Sequence, residues 1–578
     1  MMWGSLLGLS LWALSATTRG AEPPDLILHH GHIVTVDGNF SIQEAIAIQG
    51  EQITAVGSND MILKLAGPET KRIDLAGQTV LPGLIDSHVH PTGAATYEFD
   101  HPIPAMESIA DVLSYVQARA EVLEDGEWIL TSQIFITRLR DQRFPNRREL
   151  DLVAPNNPVC FRTGPDAALN SLALQLNGID KDFREPEGMT GKVERDPETG
   201  EPTGIIRSAG QFIKTKSSGR SPSREDRLNQ LQELFADYNS VGITSISDRN
   251  ASDGSLDLYA ALLKDDKLTC RLFLYYGISG GASLEETEQR ILKARNSEWH
   301  AYNNRLWLRG AKFFLDGGML TGSAFMKKPW GVSEIYGISD PAYRGVRNVE
   351  PEKVYEVCKL ALANEFQVTA HAVGDGAVET LVDTYARIDR DDFPVRDLRP
   401  CVTHCNFMSA EAIDTMARVG IVADLQPAWL WLDGRTLTRQ FGEDRLQWFQ
   451  PYRTLFEKQV MVGGGSDHMQ RIGSLRSVNP YNPFLGMWIT LTRQPRWTES
   501  ALHPEQCITR EQAIRLYTIN NAWLTFEEQH KGSLEPGKLA DLIVLDRDIL
   551  TCPVDKVRDI QVRQTYLGGK VVFSRKAE

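Results

Sequence analysis

The chain has 578 residues, of which 42% are hydrophobic and 24% are charged, a composition typical of a soluble globular protein. Its length is sufficient for a large core, and one α/β barrel can account for much of it. The formal net charge of −14 argues against a nucleic-acid-binding protein, and no basic run indicates attachment to an acidic membrane surface.

Residues 1–20 (MMWGSLLGLSLWALSATTRG) begin with an apolar run that small and polar residues follow. This order predicts a signal peptide cleaved before Ala21 or Glu22, and therefore export to the periplasm or the medium. The run lacks the Lys or Arg that usually precedes the apolar region. A misassigned start and a short membrane anchor stay as alternatives, and an uncleaved segment would favour the cytoplasm. No later stretch has the ~20 continuous apolar residues of a membrane-spanning helix.

Both ends of the chain predict β-structure. Between residues 25 and 57, short apolar runs are separated by turns such as Asp37-Gly38. Residues 537–573 show the same pattern of apolar runs and turns, with a turn at Gly568-Gly569. We predict one small β-sandwich that is assembled from residues 21–80 and 526–578. Two unrelated β caps are the alternative.

Between residues 81 and 525, strand-like runs alternate with amphipathic helical runs such as 225–239, 351–364, 377–388 and 410–419. This alternation predicts a parallel α/β fold, with a closed (β/α)8 barrel preferred. The eight predicted strands are the run that ends in His88 and His90, and residues 242–248, 269–276, 306–315, 367–372, 400–404, 421–425 and 460–465. The alternation fails over residues 96–224, where two turn clusters predict an insertion or lid.

Side chains at the C-terminal ends of barrel strands converge on one site, so titratable residues at these ends are informative. His88 and His90 are two residues apart in a strand and therefore point the same way. Taken alone, each such residue is more often structural than functional. Together, six residues suited to metal chemistry follow one another at or near strand ends: His88, His90, Lys312, His371, His404 and Asp467.

The residue types agree with hydrolytic chemistry. Neutral imidazoles bind a divalent metal such as zinc and leave a position for water, whose pKa the metal lowers. A carboxylate beside that water, here Asp467, can take its proton and pass it to a leaving nitrogen. A buried lysine loses its charge readily, which would allow Lys312 to react with carbon dioxide and become a carbamate ligand.

The order HxH, Lys, His, His, Asp between two β-rich ends resembles the amidohydrolase superfamily of metal-dependent hydrolases. Four segments resemble the family-3 amidohydrolases, the group that includes the N-substituted formamide deformylases: residues 81–90 (LPGLIDSHVH), 312–317 (KFFLDG), 371–377 (HAVGDGA) and 465–467 (GSD). Residues 534–542 (LEPGKLADL) match the sandwich signature of the wider superfamily. The resemblance covers residues 25–573.

This resemblance implies that His88, His90, His371 and His404 are metal ligands and that Lys312 is a possible carboxylated bridge between two metals. It implies that Asp467 is both a ligand and an acid/base group. We assign the catalytic roles to Asp467 and His404, and the cofactor to one or two divalent ions, with zinc preferred.

Two positions in the insertion depart from the family pattern. Thr163-Gly164-Pro165 precedes Asn170-Ser171 where many members carry Asp-Gly-His, and Pro202-Thr203-Gly204 leads to Ser208 where many carry an acidic residue. Both departures bear on the substrate and leave the metal residues intact.

We therefore predict a hydrolase of carbon–nitrogen bonds other than peptide bonds, acting on a small amide or N-substituted formamide. Metal-activated water is the nucleophile, and Asp467 is the general acid/base. A homo-oligomer is compatible with this function. One alternative is a cyclic amide or ester as substrate. The other is a catalytically inactive scaffold or regulator of the same fold, and the intact ligand set argues against it.

Overall fold

The computed structural model describes residues 22–576 with the exception of residues 186, 188–190, 212 and 218. The predicted signal peptide lies outside the described residues, so export stays a prediction. Within the described part of the chain, no helix combines the length and the apolar character needed to cross a membrane.

The N-terminal segment is built from short strands that belong to two sheets. They are β1 (Leu26–His29), β2 (His32–Val34), β3 (Ile42–Gln43), β4 (Ala45–Gln49), β5 (Gln52–Gly57), β6 (Lys71–Asp74) and β7 (Thr79–Pro82), with helix α1 (Asn59–Leu63) after β5. One sheet has the order β5-β4-β1-β6, whereas β2, β3 and β7 belong to the other.

The chain then forms the first barrel strand, β8 (Leu84–Val89), and helix α2 (Pro91–Thr96) before it enters the insertion. The insertion has a sheet of its own, with the order β12-β13-β11-β10-β9. Its elements are α3 (Ile109–Ala120), β9 (Ile129–Thr131), α4 (Arg147–Val153), β10 (Val159–Thr163), β11 (Asp166–Leu169), α5 (Ser171–Leu176), β12 (Lys192–Arg195) and β13 (Pro202–Arg207). The sequence predicted an inserted region but not this sheet.

The rest of the barrel follows as strand and helix in alternation. Its strands are β14 (Ile243–Ala251), β15 (Arg271–Gly277), β16 (Leu306–Phe314), β17 (Gln367–Ala372), β18 (Cys401–His404), β19 (Val422–Leu425) and β20 (Val462–Gly464). Its helices are α6 (Arg224–Ser240), α7 (Asp253–Lys264), α8 (Leu284–Arg295), α9 (Pro351–Ala363), α10 (Asp375–Asp391), α11 (Ala410–Val419), α12 (Pro427–Phe441), α13 (Tyr452–Glu457), α14 (Pro483–Thr492), α15 (Arg510–Leu516) and α16 (Ile519–Leu524). The eight strands pair in parallel in the order β8-β14-β15-β16-β17-β18-β19-β20, which confirms the predicted barrel fold.

Helical periodicity explains how the outer helices cover the barrel. In α10 the buried residues recur at the spacing of one helix face: Val378, Leu381, Val382, Tyr385 and Ile388. This face covers β17 and β18, and all four residues of β18 are buried, as expected for a strand that is covered on both sides.

The barrel closes between β8 and the chain that follows β20. The backbone N–H of Asp467 donates to the carbonyl of His88 at 2.8 Å, and the N–H of His90 donates to the carbonyl of His468 at 2.7 Å. Gly465 makes this approach possible, because a Cβ at this position would lie 2.8 Å from the backbone nitrogen of His88. The closure brings the ends of the first and last strands into contact.

The C-terminal strands complete the β-sandwich. They are β21 (Leu542–Leu545), β22 (Val562–Leu567) and β23 (Lys570–Ser574), and they extend the second N-terminal sheet to the order β23-β22-β21-β7-β2-β3. β21 pairs antiparallel with β7, with Ile543 opposite Leu81. Buried side chains from both ends of the chain, such as Leu28, Ile46 and Leu542, share one core. The predicted composite sandwich is therefore confirmed.

A buried ion pair joins the sandwich to the barrel. Arg271 at the start of β15 donates to both carboxylate oxygens of Asp541, at 2.7 and 2.9 Å, and the N–H of Gly568 also donates to Asp541 at 2.8 Å. Burial by itself raises the pKa of Asp541, but the guanidinium and these hydrogen bonds outweigh it, so the pKa lies below its ordinary value of 3.8. The pair therefore stabilises the fold above about pH 4, and this contribution is lost as the pH falls through the folded-state pKa.

We expect Arg271→Met to lower the free energy of unfolding by about 3–5 kcal/mol, because it leaves the Asp541 carboxylate buried without a counter-charge. Adding Asp541→Asn should recover part of this loss, because the amide oxygen can still accept from Gly568. Urea unfolding of both single variants and the double variant measures the coupling. If the losses in free energy of unfolding of the two single variants add up to that of the double variant, the two residues are not coupled and the expectation is wrong.

Candidate metal centre

Three of the predicted site residues meet where the barrel closes. His88 Nε2 and His90 Nε2 lie 3.3 Å apart, and each lies 3.2 Å from Oδ1 of Asp467. These ligand atoms are close enough to share one metal ion. His88 is fully buried, whereas the His90 side chain is 25% exposed, so the cluster opens towards solvent on one side.

His371 and His404 extend the cluster across the neighbouring strand ends. The ring centroids of His404 and His88 are 5.0 Å apart, and those of His371 and His404 are 4.5 Å apart. Trp429, at the start of α12, stacks on His404 with its ring centroid 4.6 Å away and the two planes at 15°. The structure thus brings all four predicted histidines and Asp467 together at the C-terminal ends of β8, β17, β18 and β20.

Hydrogen bonds select the ring nitrogen that each outer histidine presents. Nδ1 of His371 lies 2.9 Å from Oδ1 of Asp316, and Nδ1 of His404 lies 2.7 Å from Oε1 of Gln426. Because both partners are acceptors, Nδ1 carries the proton in each ring and Nε2 keeps a free lone pair. Such partners orient a histidine ligand and increase its basicity.

Asp316 is itself held by the backbone. It accepts hydrogen bonds from the N–H groups of Phe325 at 3.0 Å, Val373 at 3.1 Å and Gly374 at 2.9 Å. In the sequence, Asp316 is only one residue of the segment 312–317 (KFFLDG). In the structure it positions His371 and the loop that follows β17.

A buried charge pair lies behind His88. Asp424 accepts from the Ser87 hydroxyl, its Oδ2 lies 3.2 Å from Nη2 of Arg249, and the same oxygen lies 3.4 Å from Nδ1 of His88. Arg249 also donates to the Ser87 carbonyl at 2.8 Å. Burial raises the pKa of Asp424, and the Arg249 guanidinium opposes this rise. Neither residue was singled out from the sequence, because nothing local marks them as partners of His88.

Burial lowers the pKa values of three basic groups of the cluster. Lys312 on β16 is 1% exposed, and burial together with the nearby Arg249 cation lowers its pKa to about 8. Burial also holds the pKa values of His88 and His404 well below the ordinary range, with the positive charge of Lys312 adding to the effect. Neutral imidazoles are the form that binds metal ions.

Two of the site residues have unusual backbone conformations. His404 has φ of +79° and Asp467 has φ of +57°, both in the left-handed region that residues with side chains seldom adopt. Strain of this kind persists where the surrounding structure enforces it, and it is typical of functional sites.

The insertion reaches the site through Asn479. The Asn479 amide donates to the backbone carbonyl of Asp467 at 2.7 Å and to its Oδ2 at 3.3 Å. In turn, Arg138 of the insertion donates to Oδ1 of Asn479 at 2.9 Å and forms a buried bidentate pair with Asp433 of α12. The position of the catalytic candidate Asp467 therefore depends on contacts made by the insertion.

A parallel α/β barrel with these residues at its strand ends belongs to the class of metal-dependent hydrolases. The chain is a member of the amidohydrolase family, whose model matches residues 71–573. This confirms the predicted family, and with it a hydrolase of carbon–nitrogen bonds.

Relatives extend over nearly the whole chain. The N-substituted formamide deformylase of Arthrobacter pascens is 28% identical over 562 residues, 95% of this chain and 98% of the relative. The crystal structure of a metal-dependent hydrolase from Pyrococcus horikoshii, 21% identical, aligns with a TM-score of 0.66 over 92% of this chain and 99% of its own. The zinc complex of the atrazine chlorohydrolase TrzN from Arthrobacter aurescens aligns with a TM-score of 0.52 at 15% identity, over 95% of each chain. The two structures show the shared fold.

We expect Asp316→Asn to weaken metal binding about 10- to 100-fold, because the imidazole of His371 loses its carboxylate partner. Competition with a chromophoric chelator measures the affinity. Asp257→Asn is the control, since this carboxylate pairs with Arg224 at the surface. Equal affinity in the parent and Asp316→Asn proteins would show that Asp316 does not act on a ligand.

Proposed function

We propose that the protein hydrolyses an amide-type carbon–nitrogen bond of a small molecule with the aid of a divalent metal ion. His88, His90, His371, His404 and Asp467 would hold the metal, with Lys312 as a further ligand when it is carboxylated. The observation that carries the proposal is the convergence of these side chains at one end of the barrel, with Nε2 free on the rings that Asp316 and Gln426 orient.

The donor set fits a divalent transition metal. Imidazole nitrogens with one carboxylate oxygen suit zinc, and the zinc complex of the structurally similar TrzN is consistent with this choice. A metal ion bound here would supply Lewis acidity, polarising a carbonyl oxygen and lowering the pKa of water. One or two ions are compatible with the residues present.

Asp467 is the residue best placed to move a proton. Its Oδ1 faces the two histidines of β8, while the Asn479 amide donates towards Oδ2. As the water oxygen bonds to the carbonyl carbon, Asp467 accepts a proton from that water. It then delivers the proton to the nitrogen as the carbon–nitrogen bond breaks, so that an amine and a carboxylic acid are released. We propose His404 as a second catalytic residue, because its free Nε2 faces away from Gln426.

The similarity to the N-substituted formamide deformylase supports an amide or formamide as the substrate class. The two departures from the family pattern lie in the insertion, at Thr163 and at Ser208. These two residues belong to the insertion, which lies outside the barrel, so we propose that they affect the choice of substrate and not the metal ligands.

Asp467→Asn tests the proposed mechanism. We expect kcat on a small formamide or N-acyl amine to fall about 10²- to 10⁴-fold, because the amide cannot carry the proton, while the variant still takes up metal through its histidines. Elemental analysis of metal content, together with amine release, separates the two effects. Asp414→Asn, at a surface pair with Lys458, is the matched control. A near-parental rate in Asp467→Asn would overturn the mechanism, and a protein that binds no metal would favour the scaffold alternative.

Carboxylation of Lys312 is a separate part of the proposal. The neutral amine would bond to carbon dioxide through Nζ with release of a proton, and its deep burial favours the neutral form. We expect bicarbonate to increase the number of metal ions bound per chain in the parent protein and to have no such effect in Lys312→Gln. Lys359→Gln changes a surface lysine and should respond to bicarbonate like the parent protein. Metal stoichiometry and infrared detection of a ¹³C carbamate provide the readouts, and an equal response in Lys312→Gln would exclude the carbamate.

A further inference from the structure

A small cavity lies between the insertion and the loop that follows β20. Its volume is about 120 Å³. Its walls include Phe135 and Arg138 of the insertion, Trp431 of α12, and Arg471, Val478 and Pro480 of the loop. A space of this size suits one part of a small substrate, since whole drug-sized ligands occupy roughly 300–1,000 Å³.

The cavity is joined to the catalytic candidate by one residue. Val478 and Pro480 line it, and Asn479 between them donates to Asp467. Arg138 both lines the cavity and donates to Asn479. Arg138 and Asn479 therefore connect the wall of the cavity to Asp467.

The charges around the cavity do not balance. Four arginines line it, and three of them have a carboxylate partner: Arg138 pairs with Asp433, Arg476 with Glu98, and Arg496 with Glu107. Among the described residues, no carboxylate oxygen lies within 4.0 Å of the Arg471 guanidinium. Glu98 acts on this charge from a greater distance, but both of its oxygens already accept from Arg476 at 2.7 Å.

Arg471 is nonetheless almost completely buried, with 3% of its surface exposed. Its Nη1 donates to the carbonyl of Arg476 at 3.2 Å, and its Nε has no hydrogen-bond partner. The neighbouring Gln470 is also buried, and neither atom of its amide group has a partner. Buried charged and polar groups without partners are costly, and they are explained when a ligand or water supplies the missing contacts.

We propose that this cavity binds the carboxylate of the substrate through Arg471, which makes the preferred substrate an N-acyl or N-formyl amino acid. The inference rests on the proposed amide hydrolysis. A planar guanidinium can hold a carboxylate through two parallel hydrogen bonds, and that carboxylate would supply the missing counter-charge. Phe135 and Trp431 offer an apolar wall to the amino acid side chain.

A matched pair of substrates tests the inference: N-formyl-leucine and its uncharged analogue N-formyl-leucinamide. We expect the parent enzyme to favour the acid in kcat/KM, and Arg471→Met to reduce this preference on the order of 100-fold, mainly through KM. Arg471→Lys should keep part of the preference because it keeps the charge. If Arg471→Met fails to fold, the comparison of parent and Arg471→Lys tests the inference. Arg399→Met, which breaks a pair with Glu528, should leave the acid-to-amide ratio unchanged.

The outcomes separate the inference from the proposed function. Hydrolysis of both compounds with an acid-to-amide ratio that is the same in the parent and in both Arg471 variants would overturn the inference and leave the amidohydrolase function standing. If the metal-loaded parent hydrolyses neither compound nor any simple formamide, the proposed function fails. Calorimetric binding of N-formyl-leucine to the parent and to Arg471→Met then decides the inference: a loss of affinity in the variant supports it, and equal or undetectable binding overturns it.

Discussion

The pairing of β8 with the chain that follows β20 is the constraint on which the candidate site depends. Because alternate side chains of a strand face opposite ways, a register shift of one residue would turn His88 and His90 away from Asp467. His468 secures this register. Its Nε2 donates to the carbonyls of Gln470 and Arg471, so its Nδ1 is left to accept from the Tyr238 hydroxyl at 2.7 Å. The ring is therefore neutral, and burial lowers its pKa to about 4.

Burial and nearby positive charge both lower the pKa values of His88 and His404 at the candidate metal centre. The side chains of His88, His404 and Lys312 would lose hydration if they were protonated, so burial lowers their pKa values and favours the neutral rings. The Asp467 and Asp424 side chains face these bases, and Arg249 pairs with Asp424 at 3.2 Å on the side away from the cluster. Neutral imidazoles beside the side chain of Asp467 form a donor set that suits a divalent metal ion.

Helices and strands that are marked by local sequence patterns were predicted, whereas contacts between side chains distant in sequence were not. The predicted helix over residues 410–419 agrees with α11 because local signals mark both ends: Ser409 caps its start, and Gly420 adopts φ of +88° at its end. The barrel strands were predictable because they are continuous apolar runs. The sheet of the insertion was missed because several of its strands pair antiparallel and do not alternate with regular helical runs, so the pattern that marked the barrel is absent there. Asp316 and Gln426 could not be assigned from the sequence, because their roles arise only when the barrel places them against His371 and His404.

The insertion links the chemistry to the choice of substrate. Thr163 ends β10, and its hydroxyl accepts from the N–H of Ile136 at 3.2 Å. That bond holds the short turn which carries Arg138, and Arg138 in turn holds Asn479 against Asp467. A change in the insertion would therefore alter the wall of the cavity and the setting of the carboxylate together. Because the barrel strands position the four histidines independently of this segment, substrate preference can diverge in the insertion while these candidate ligands stay in place.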